Sequence, residues 1–81
     1  MSKVDLRSWT RAYIGRLSAR PPDEIDLDKD LADLGLDSVD AVLMAGEMEQ
    51  AFGIEIDPAE ALRHPTVEAM LAFYEPLIAA N

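Results

Sequence analysis

Residues 37–53 read DSVDAVLMAGEMEQAFG and carry the clearest helix signal in the chain. Asp37 and Ser38 are residue types that cap helix N-termini, because their side-chain oxygens accept hydrogen bonds from the first free backbone N–H groups. Alanine, leucine, methionine, glutamate and glutamine, which are good helix formers, make up much of the remaining stretch. Gly53 is a typical stop residue. The stretch therefore predicts a helix that begins at Asp37 or Ser38 and ends at about Phe52.

This predicted helix has two apolar faces. When each residue is advanced by about 100° around the helix axis, one stripe looks like a normal core face. Its members are Ala41, Met44, Ala45, Met48 and Phe52. A second stripe on the opposite side consists of Val39, Leu43 and Gly46. The polar residues that flank this second stripe are Asp40, Glu47, Glu49 and Gln50.

The second stripe has two interpretations, because a small bundle cannot easily bury one helix on both sides. Leu34 or Leu36 of the preceding loop could fold over Val39 and make the stripe part of the core. Alternatively, the stripe stays exposed and binds a partner. Gly46 favours the second interpretation, because a mid-helix glycine costs about 1 kcal/mol relative to alanine and often permits close approach of another backbone.

Helix signals also stand near both ends of the chain. Residues 5–19 repeat apolar side chains at three- and four-residue spacing, namely Leu6, Trp9, Tyr13 and Leu17, with Arg7 and Arg11 on the opposite face. Thr66 is a capping residue for a last helix. The apolar face of that helix is Val67, Met70, Leu71 and Tyr74. Pro76 predicts that the helix ends or kinks there.

Two segments connect these helices. Residues 21–36 contain turn formers, acids and isolated apolar anchors at Ile25, Leu27, Leu31, Leu34 and Leu36. They predict a long loop pinned to the core, with a short helix at about 28–34. Residues 57–63 begin with a capping aspartate and a proline at the first helical position, which predicts a short third helix. The predicted fold is all-α: a single domain over residues 1–81, built as a small four-helix bundle.

Composition limits the classes of function. The chain has 81 residues, a net charge of -9 and no cysteine, so any thioester chemistry needs an added group. Fifteen of the sixteen acids come after residue 20, which argues against binding of nucleic acid and favours partners with basic surfaces. No apolar run approaches the ~20 residues of a membrane span, and the start lacks a secretory signal pattern. We expect a cytoplasmic protein and a monomer.

Residues 34–40, LGLDSVD, place a serine at a loop-to-helix junction, between an aspartate and an aliphatic residue. This segment resembles the phosphopantetheine attachment motif of acyl carrier proteins, and the order of the helices is similar to that family over nearly the whole chain. The resemblance implies a covalent 4'-phosphopantetheine arm on Ser38, with Asp37 beside it. Leu36, Leu43, Gly46 and the tract RHPTV at 63–67 resemble carriers of polyketide and mixed synthases more than fatty-acid carriers.

The resemblance also implies partners. A phosphopantetheinyl transferase would load the arm from coenzyme A, and acyl-loading enzymes, ketosynthases or other acyl-processing enzymes would then dock through basic or apolar surfaces. The expected contact residues are Val39, Asp40, Leu43, Gly46, Glu47, Glu49 and Gln50. The implied function is to tether acyl intermediates as thioesters for fatty-acid-like or polyketide biosynthesis. The chain itself is then not an enzyme.

No catalytic or metal-binding set is predicted. The only histidine, His64, lies far along the sequence from Ser38, so a transferase must supply the base that activates the serine. Four acids match ligand positions of a calcium-binding loop: Asp26, Asp28, Asp30 and Asp37. The match fails because Leu31 replaces the turn glycine and an aspartate replaces the final bidentate glutamate.

Two alternative functions stay open at this point. A helical adaptor would bind partners through Val39, Leu43 and Gly46 and would leave Ser38 unmodified. An aminoacyl or peptidyl carrier would use the same arm for another cargo. Such carriers more often have a second glycine or a histidine just before the serine, so the Leu-Asp pair at 36–37 favours an acyl cargo.

Overall fold

The computed structural model describes residues 5–57, 59 and 63–79. They form three α-helices, α1 (Leu6–Ser18), α2 (Ser38–Phe52) and α3 (Val67–Ala79), and a 3-10 turn at Pro22–Glu24. No strand occurs within this part of the chain, so the all-α prediction is confirmed. Of the short helix expected over 57–63, positions 58 and 60–62 lie outside the described residues. A fourth helix therefore stays a prediction.

Helix α1 has a local cap at each end. The Asp5 carboxylate accepts a hydrogen bond from the Ser8 backbone N–H at 3.1 Å. At the other end Ala19 adopts the left-handed conformation, with φ 57°, and its N–H donates to the Gly15 carbonyl oxygen. Glycine is needed at position 15, because a Cβ there would lie 2.7 Å from the Arg20 carbonyl oxygen. The chain thus leaves α1 in a sharp turn, just before the two prolines.

The buried face of α1 differs from the predicted one. Leu6 is buried as expected, but the centre of the face is formed by Thr10 and Ile14, both 0% exposed. A buried threonine is tolerated because its hydroxyl donates to the Leu6 carbonyl oxygen at 2.8 Å. Leu17, a member of the predicted core stripe, is half exposed. The predicted stripe is therefore rotated away from the true centre of the face.

The loop between α1 and α2 is pinned to the core as predicted. Its buried anchors are Ile25, Leu27, Leu31 and Leu36, and Leu34 is half-buried against them. The helix expected at 28–34 is wrong, because the Asp26 and Asp30 carboxylates accept hydrogen bonds from the backbone N–H groups of Asp28 and Asp33, at 2.9 and 2.7 Å. Such bonds stabilise turns in competition with a helix.

The start of α3 is held by this loop and by α1. The Glu68 backbone N–H donates to the Leu27 carbonyl oxygen at 2.8 Å. The Glu68 carboxylate accepts a hydrogen bond from Arg7 Nε of α1 at 2.8 Å, and Arg7 also pairs with Glu75. Both carboxylates raise the pKa of the Arg7 guanidinium, Glu68 more strongly, so the arginine stays charged. The two terminal helices are thereby joined on one side of the bundle.

Helix α3 has the predicted cap and apolar face. Thr66 Oγ1 accepts a hydrogen bond from the Ala69 N–H at 3.0 Å, and the buried positions are Val67, Met70, Leu71 and Tyr74. The helix does not end at Pro76 but continues to Ala79. Proline removes one hydrogen bond to the carbonyl of Ala72. Because Ala72 and Pro76 are both exposed, water can satisfy that carbonyl group.

Helix α2 supplies the centre of the core. It begins and ends where the sequence predicts, with Asp37 as its cap and Gly53, at φ 68°, as its left-handed stop. The core stripe is confirmed, since the buried residues of the helix are Ala41, Met44, Ala45 and Met48, with Phe52 half-buried beside them. No helix in the described residues is long and apolar enough to cross a bilayer.

Candidate functional site

The start of α2 is fixed by a reciprocal pair of hydrogen bonds. Asp37 Oδ1 accepts from the Asp40 backbone N–H at 2.9 Å, and Asp40 Oδ2 accepts from the Asp37 backbone N–H at 3.2 Å. This is a capping box built from two aspartates. Both side chains therefore have a structural role at the helix start. Whether they also contact a partner stays a prediction.

Ser38 is the first residue of α2, and it is exposed. The first backbone N–H groups of a helix lack partners within the helix, and this end carries partial positive charge. A phosphate ester on Ser38 would lie in that favourable field. The carboxylates of Asp37 and Asp40 oppose the field, although both already accept hydrogen bonds from the helix start.

The second apolar stripe of α2 is exposed. Val39 is 63% exposed and Leu43 57%, while Leu36, the candidate cover for Val39, is only 7% exposed and lies in the core. The loop-cover interpretation is therefore wrong. A Cβ added at Gly46 would meet no atom within 4 Å, so nothing inside the described fold requires a glycine there.

Val42 belongs to the same exposed surface, and the sequence pattern of two stripes does not include it. It is 49% exposed. It lies about 60° around the helix axis from Val39, so helical periodicity alone could have assigned Val42 to this surface from the sequence. We call the four residues Val39, Val42, Leu43 and Gly46 the exposed stripe.

The polar residues beside the exposed stripe differ in their roles. Glu47 and Gln50 are exposed, whereas Asp40 and Glu49 are half-buried. Glu49 Oε2 accepts a hydrogen bond from the Ile56 backbone N–H at 2.8 Å, so this side chain holds the segment after α2. Burial raises the pKa of Tyr13 on α1, and the charges of Glu47 and Asp40 raise it further. Asp40 and Glu47 are thus the acids of α2 whose charges act on Tyr13.

A cleft of ≈ 290 Å³ opens beside Ser38. Its lining residues come from the long loop, the start of α2 and the segment before α3; they are Asp30, Leu31, Ala32, Leu36, Asp37, Ser38, His64 and Pro65. The His64 ring packs against Phe73 of α3 with ring centroids 5.5 Å apart. The sequence separation of Ser38 and His64 suggests that they are unrelated, whereas the fold places both around one cleft.

These features define a class of protein. An exposed serine starts a rigid, capped helix, an uncovered apolar stripe continues along it, and a cleft adjoins it. The chain belongs to the phosphopantetheine attachment site family, whose model matches residues 8–74. Members of this family carry a covalently attached 4'-phosphopantetheine group and are acyl carriers that catalyse no reaction themselves.

Three relatives place the chain near polyketide carriers. A phenolphthiocerol/phthiocerol polyketide synthase polypeptide of Mycobacterium tuberculosis is 39% identical over 71 residues, 88% of this chain and 4% of the relative. The citrinin polyketide synthase of Monascus ruber is 37% identical over 59 residues, 73% and 2% of the two chains. The 6-methylsalicylic acid synthase of Aspergillus terreus is 33% identical over 73 residues, 84% and 4%. The chain is thus similar to short segments of polyketide synthases and spans only a small part of the length of these relatives.

The residues at the start of α2 fit the prosthetic group of the family. The Ser38 hydroxyl is exposed and can accept a phosphodiester link, and the adjoining cleft has both apolar and polar walls. The group supplies a terminal thiol, which this chain, with no cysteine, lacks. The protein's own contribution is therefore to position the arm and to present it.

Proposed function

We propose that Ser38 carries the phosphopantetheine arm and that residues 1–81 act as one acyl carrier domain in polyketide biosynthesis. The observation that carries this proposal is the exposed Ser38 at the first position of a capped helix, inside the region that matches the family. Asp37 holds the backbone around the serine through the capping box. The acyl cargo then travels as a thioester on the terminal thiol of the arm.

Ser38 acts in this proposal as an acceptor only. During loading its oxygen forms a bond to phosphorus, the pyrophosphate bond of coenzyme A breaks, and the serine proton passes to a base of the transferase. The adenosine bisphosphate part of coenzyme A is the leaving group. The chain has to expose the hydroxyl, which the structure permits.

The proposed docking surface is the exposed stripe with its acidic border. Val39, Val42 and Leu43 offer apolar contact, and Gly46 lets a partner backbone approach closely. Around them lie Asp40, Glu47, Glu49 and Gln50. With a net charge of -9, the chain favours transferases, ketosynthases and acyl-loading enzymes that have basic surfaces around an apolar centre.

Intact-mass measurement tests the attachment directly. The purified chain is incubated with coenzyme A and a broad-specificity phosphopantetheinyl transferase and then weighed beside Ser38→Ala. We expect the wild-type chain to gain one phosphopantetheinyl group and the variant to gain none. An unchanged wild-type mass, or equal gain in both proteins, would overturn the proposal. Unchanged mass together with partner binding would support a helical adaptor.

The cargo is tested separately. Protein purified from its native host is analysed by mass spectrometry for the group that the arm thiol holds as a thioester. We expect an acyl group without an α-amino nitrogen. An aminoacyl or peptidyl group would show that the chain belongs with peptide carriers, even though Ser38 is modified.

A further inference from the structure

Two arginines at the end of α1 stand outside the proposed docking surface. Residues 1–20 hold five basic side chains and one acid, whereas residues 21–81 hold two basic side chains and fifteen acids. Arg7 pairs with two carboxylates of α3. Arg16 and Arg20, in contrast, are exposed, and neither forms an ion pair with another described residue. An acidic protein therefore leaves two guanidinium groups for an anion from outside.

Helix α1 runs beside α2 in the opposite direction. Near the beginning of α1, the Trp9 ring contacts the Phe52 ring at the end of α2, with centroids 5.7 Å apart. Just after the other end of α1, Arg20 lines a cleft together with residues 34–35, which come shortly before α2. The last turn of α1 therefore lies toward the end of the molecule where Ser38 starts α2.

Arg16 lies on the side of α1 that adjoins α2. Its guanidinium carbon is 5.7 Å from the centroid of the Tyr13 ring, and Tyr13 stacks on Trp9, the ring that contacts α2. Burial raises the pKa of the Tyr13 hydroxyl, and the charges of Glu47 and Asp40 raise it further. The charge of Arg16 lowers the same pKa. The acids that border the exposed stripe and the cation of α1 thus act on one hydroxyl.

The place of these arginines favours one partner. The transferase acts on the Ser38 hydroxyl itself, whereas acyl-processing enzymes act on the far end of the arm, so the transferase has to cover the start of α2. Leu17, next to Arg16, is 50% exposed and adds an apolar contact. The group that complements an exposed guanidinium is a carboxylate, which can accept two parallel hydrogen bonds from it.

We infer, on the basis of the proposed loading at Ser38, that the docking surface for the transferase continues from the exposed stripe onto the end of α1, where Arg16 and Arg20 bind a carboxylate of the enzyme. The surface then has acids on its α2 part and cations on its α1 part. An enzyme turned the other way round would bring its basic groups against the arginines. The two arginines therefore fix the orientation in which the transferase docks.

Loading kinetics with a broad-specificity phosphopantetheinyl transferase test this inference, with the KM for the unloaded chain and the KM for coenzyme A measured separately. Arg16→Glu and Arg20→Glu should each raise the KM for the chain by about three- to fivefold at low salt, and the difference should shrink as salt is added. The KM for coenzyme A should stay unchanged. Arg16→Lys keeps the cation and should resemble the wild type.

Lys29→Glu is the matched control, because it makes the same change in net charge at an exposed site in the long loop and should not raise the KM for the chain. Arg16 also stands in the last turn of α1, where the helix dipole favours a cation, so circular dichroism checks that each variant is folded. An unchanged or lower KM for the chain in both arginine-to-glutamate variants would overturn the inference, and so would an equal rise in Arg16→Lys.

A rise in the KM for coenzyme A in place of the KM for the chain would also overturn the inference, because it would place the phosphates of coenzyme A, and no carboxylate of the enzyme, on the arginines. Failure of the proposed function gives a different result. A wild-type chain that gains no mass on incubation with the transferase would overturn the proposed attachment to Ser38, and this inference with it.

Discussion

The two faces of α2 are both apolar but have opposite surroundings. On one side Ala41, Met44, Ala45 and Met48 are at most 3% exposed, and on the other Val39, Val42 and Leu43 are between 49% and 63% exposed. The long loop could have covered the second face but places Leu36 in the core instead. A small bundle can therefore use one helix both to build its core and to present a surface. The neighbouring residues Leu43 and Met44 make the comparison testable within one turn.

The largest expected effect is on the core side. Met44→Ala should lower the free energy of unfolding by about 2–5 kcal/mol, because it removes a buried side chain and leaves a cavity. Leu43→Ala, one residue away, should change it by no more than about 0.5 kcal/mol. Urea denaturation followed by circular dichroism measures both. Equal losses would show that the buried and the exposed face contribute equally to the free energy of unfolding.

The opposite result is expected for docking. Leu43→Asp should lower kcat/KM for loading by a phosphopantetheinyl transferase by about tenfold, which corresponds to about 1.4 kcal/mol, the scale of an important interface residue. Leu77→Asp places the same charge on α3 at a site 44% exposed and should load at the wild-type rate. A similar decrease in both variants would mean that added negative charge, rather than the stripe, controls loading.

The capping box stands at the start of α2, and Asp37 contributes to it both a hydrogen-bond acceptor and a negative charge. Two substitutions of Asp37 separate these contributions. Asp37→Ala should lower the free energy of unfolding by about 1 kcal/mol through loss of the cap. Asp37→Asn keeps an acceptor for the Asp40 N–H and should retain nearly full stability. Loading of Asp37→Asn at low salt should still be slower than wild type, and the difference should shrink as salt screens the charge.

If Asp37→Asn is as unstable as Asp37→Ala, the charge and not the hydrogen bond stabilises the helix start. Wild-type loading of Asp37→Asn at low salt would show that the charge of Asp37 takes no part in recognition by the transferase. The two measurements are independent of each other.

The smallest expected effect has the opposite sign. Gly46→Ala should raise the free energy of unfolding by about 0.5–1 kcal/mol, because alanine is the better helix former and its Cβ meets no atom within 4 Å. The same change should weaken docking of the transferase. Gly53→Ala is the control for backbone conformation and should be destabilising, since that residue has φ 68°. Unchanged loading of Gly46→Ala would show that the transferase does not need a close backbone approach at Gly46.

Signals that are local in sequence predicted the fold best. The limits of α2 follow from Asp37 and Gly53, and the cap of α3 from Thr66, because each acts within a few residues of the helix end. The buried face of α1 was predicted less well. Thr10 reads as polar in the sequence, yet its hydroxyl is satisfied by a carbonyl one turn away and the residue is fully buried.

The site was predictable only in part, because some of its residues are brought together by contacts between distant parts of the sequence. Ser38 and the stripe residues Val39, Leu43 and Gly46 share one helix, so spacing alone brings them together. The position of His64 beside the same cleft depends on how the long loop and the start of α3 pack, which hydrogen bonds such as that from the Glu68 N–H to the Leu27 carbonyl determine. No local pattern encodes that contact.

The most direct test of the two-faced helix is a titration of the isotope-labelled chain with a phosphopantetheinyl transferase and coenzyme A, using Ser38→Ala so that no turnover occurs. We expect the amide signals of Val39, Val42, Leu43 and Gly46 to shift or broaden while those of Phe73 and Leu77 stay in place. Phe73 and Leu77 form the comparison because they are also exposed, at 49% and 44%. Changes concentrated on α3, with the exposed stripe of α2 unaffected, would show that the stripe is not the docking surface.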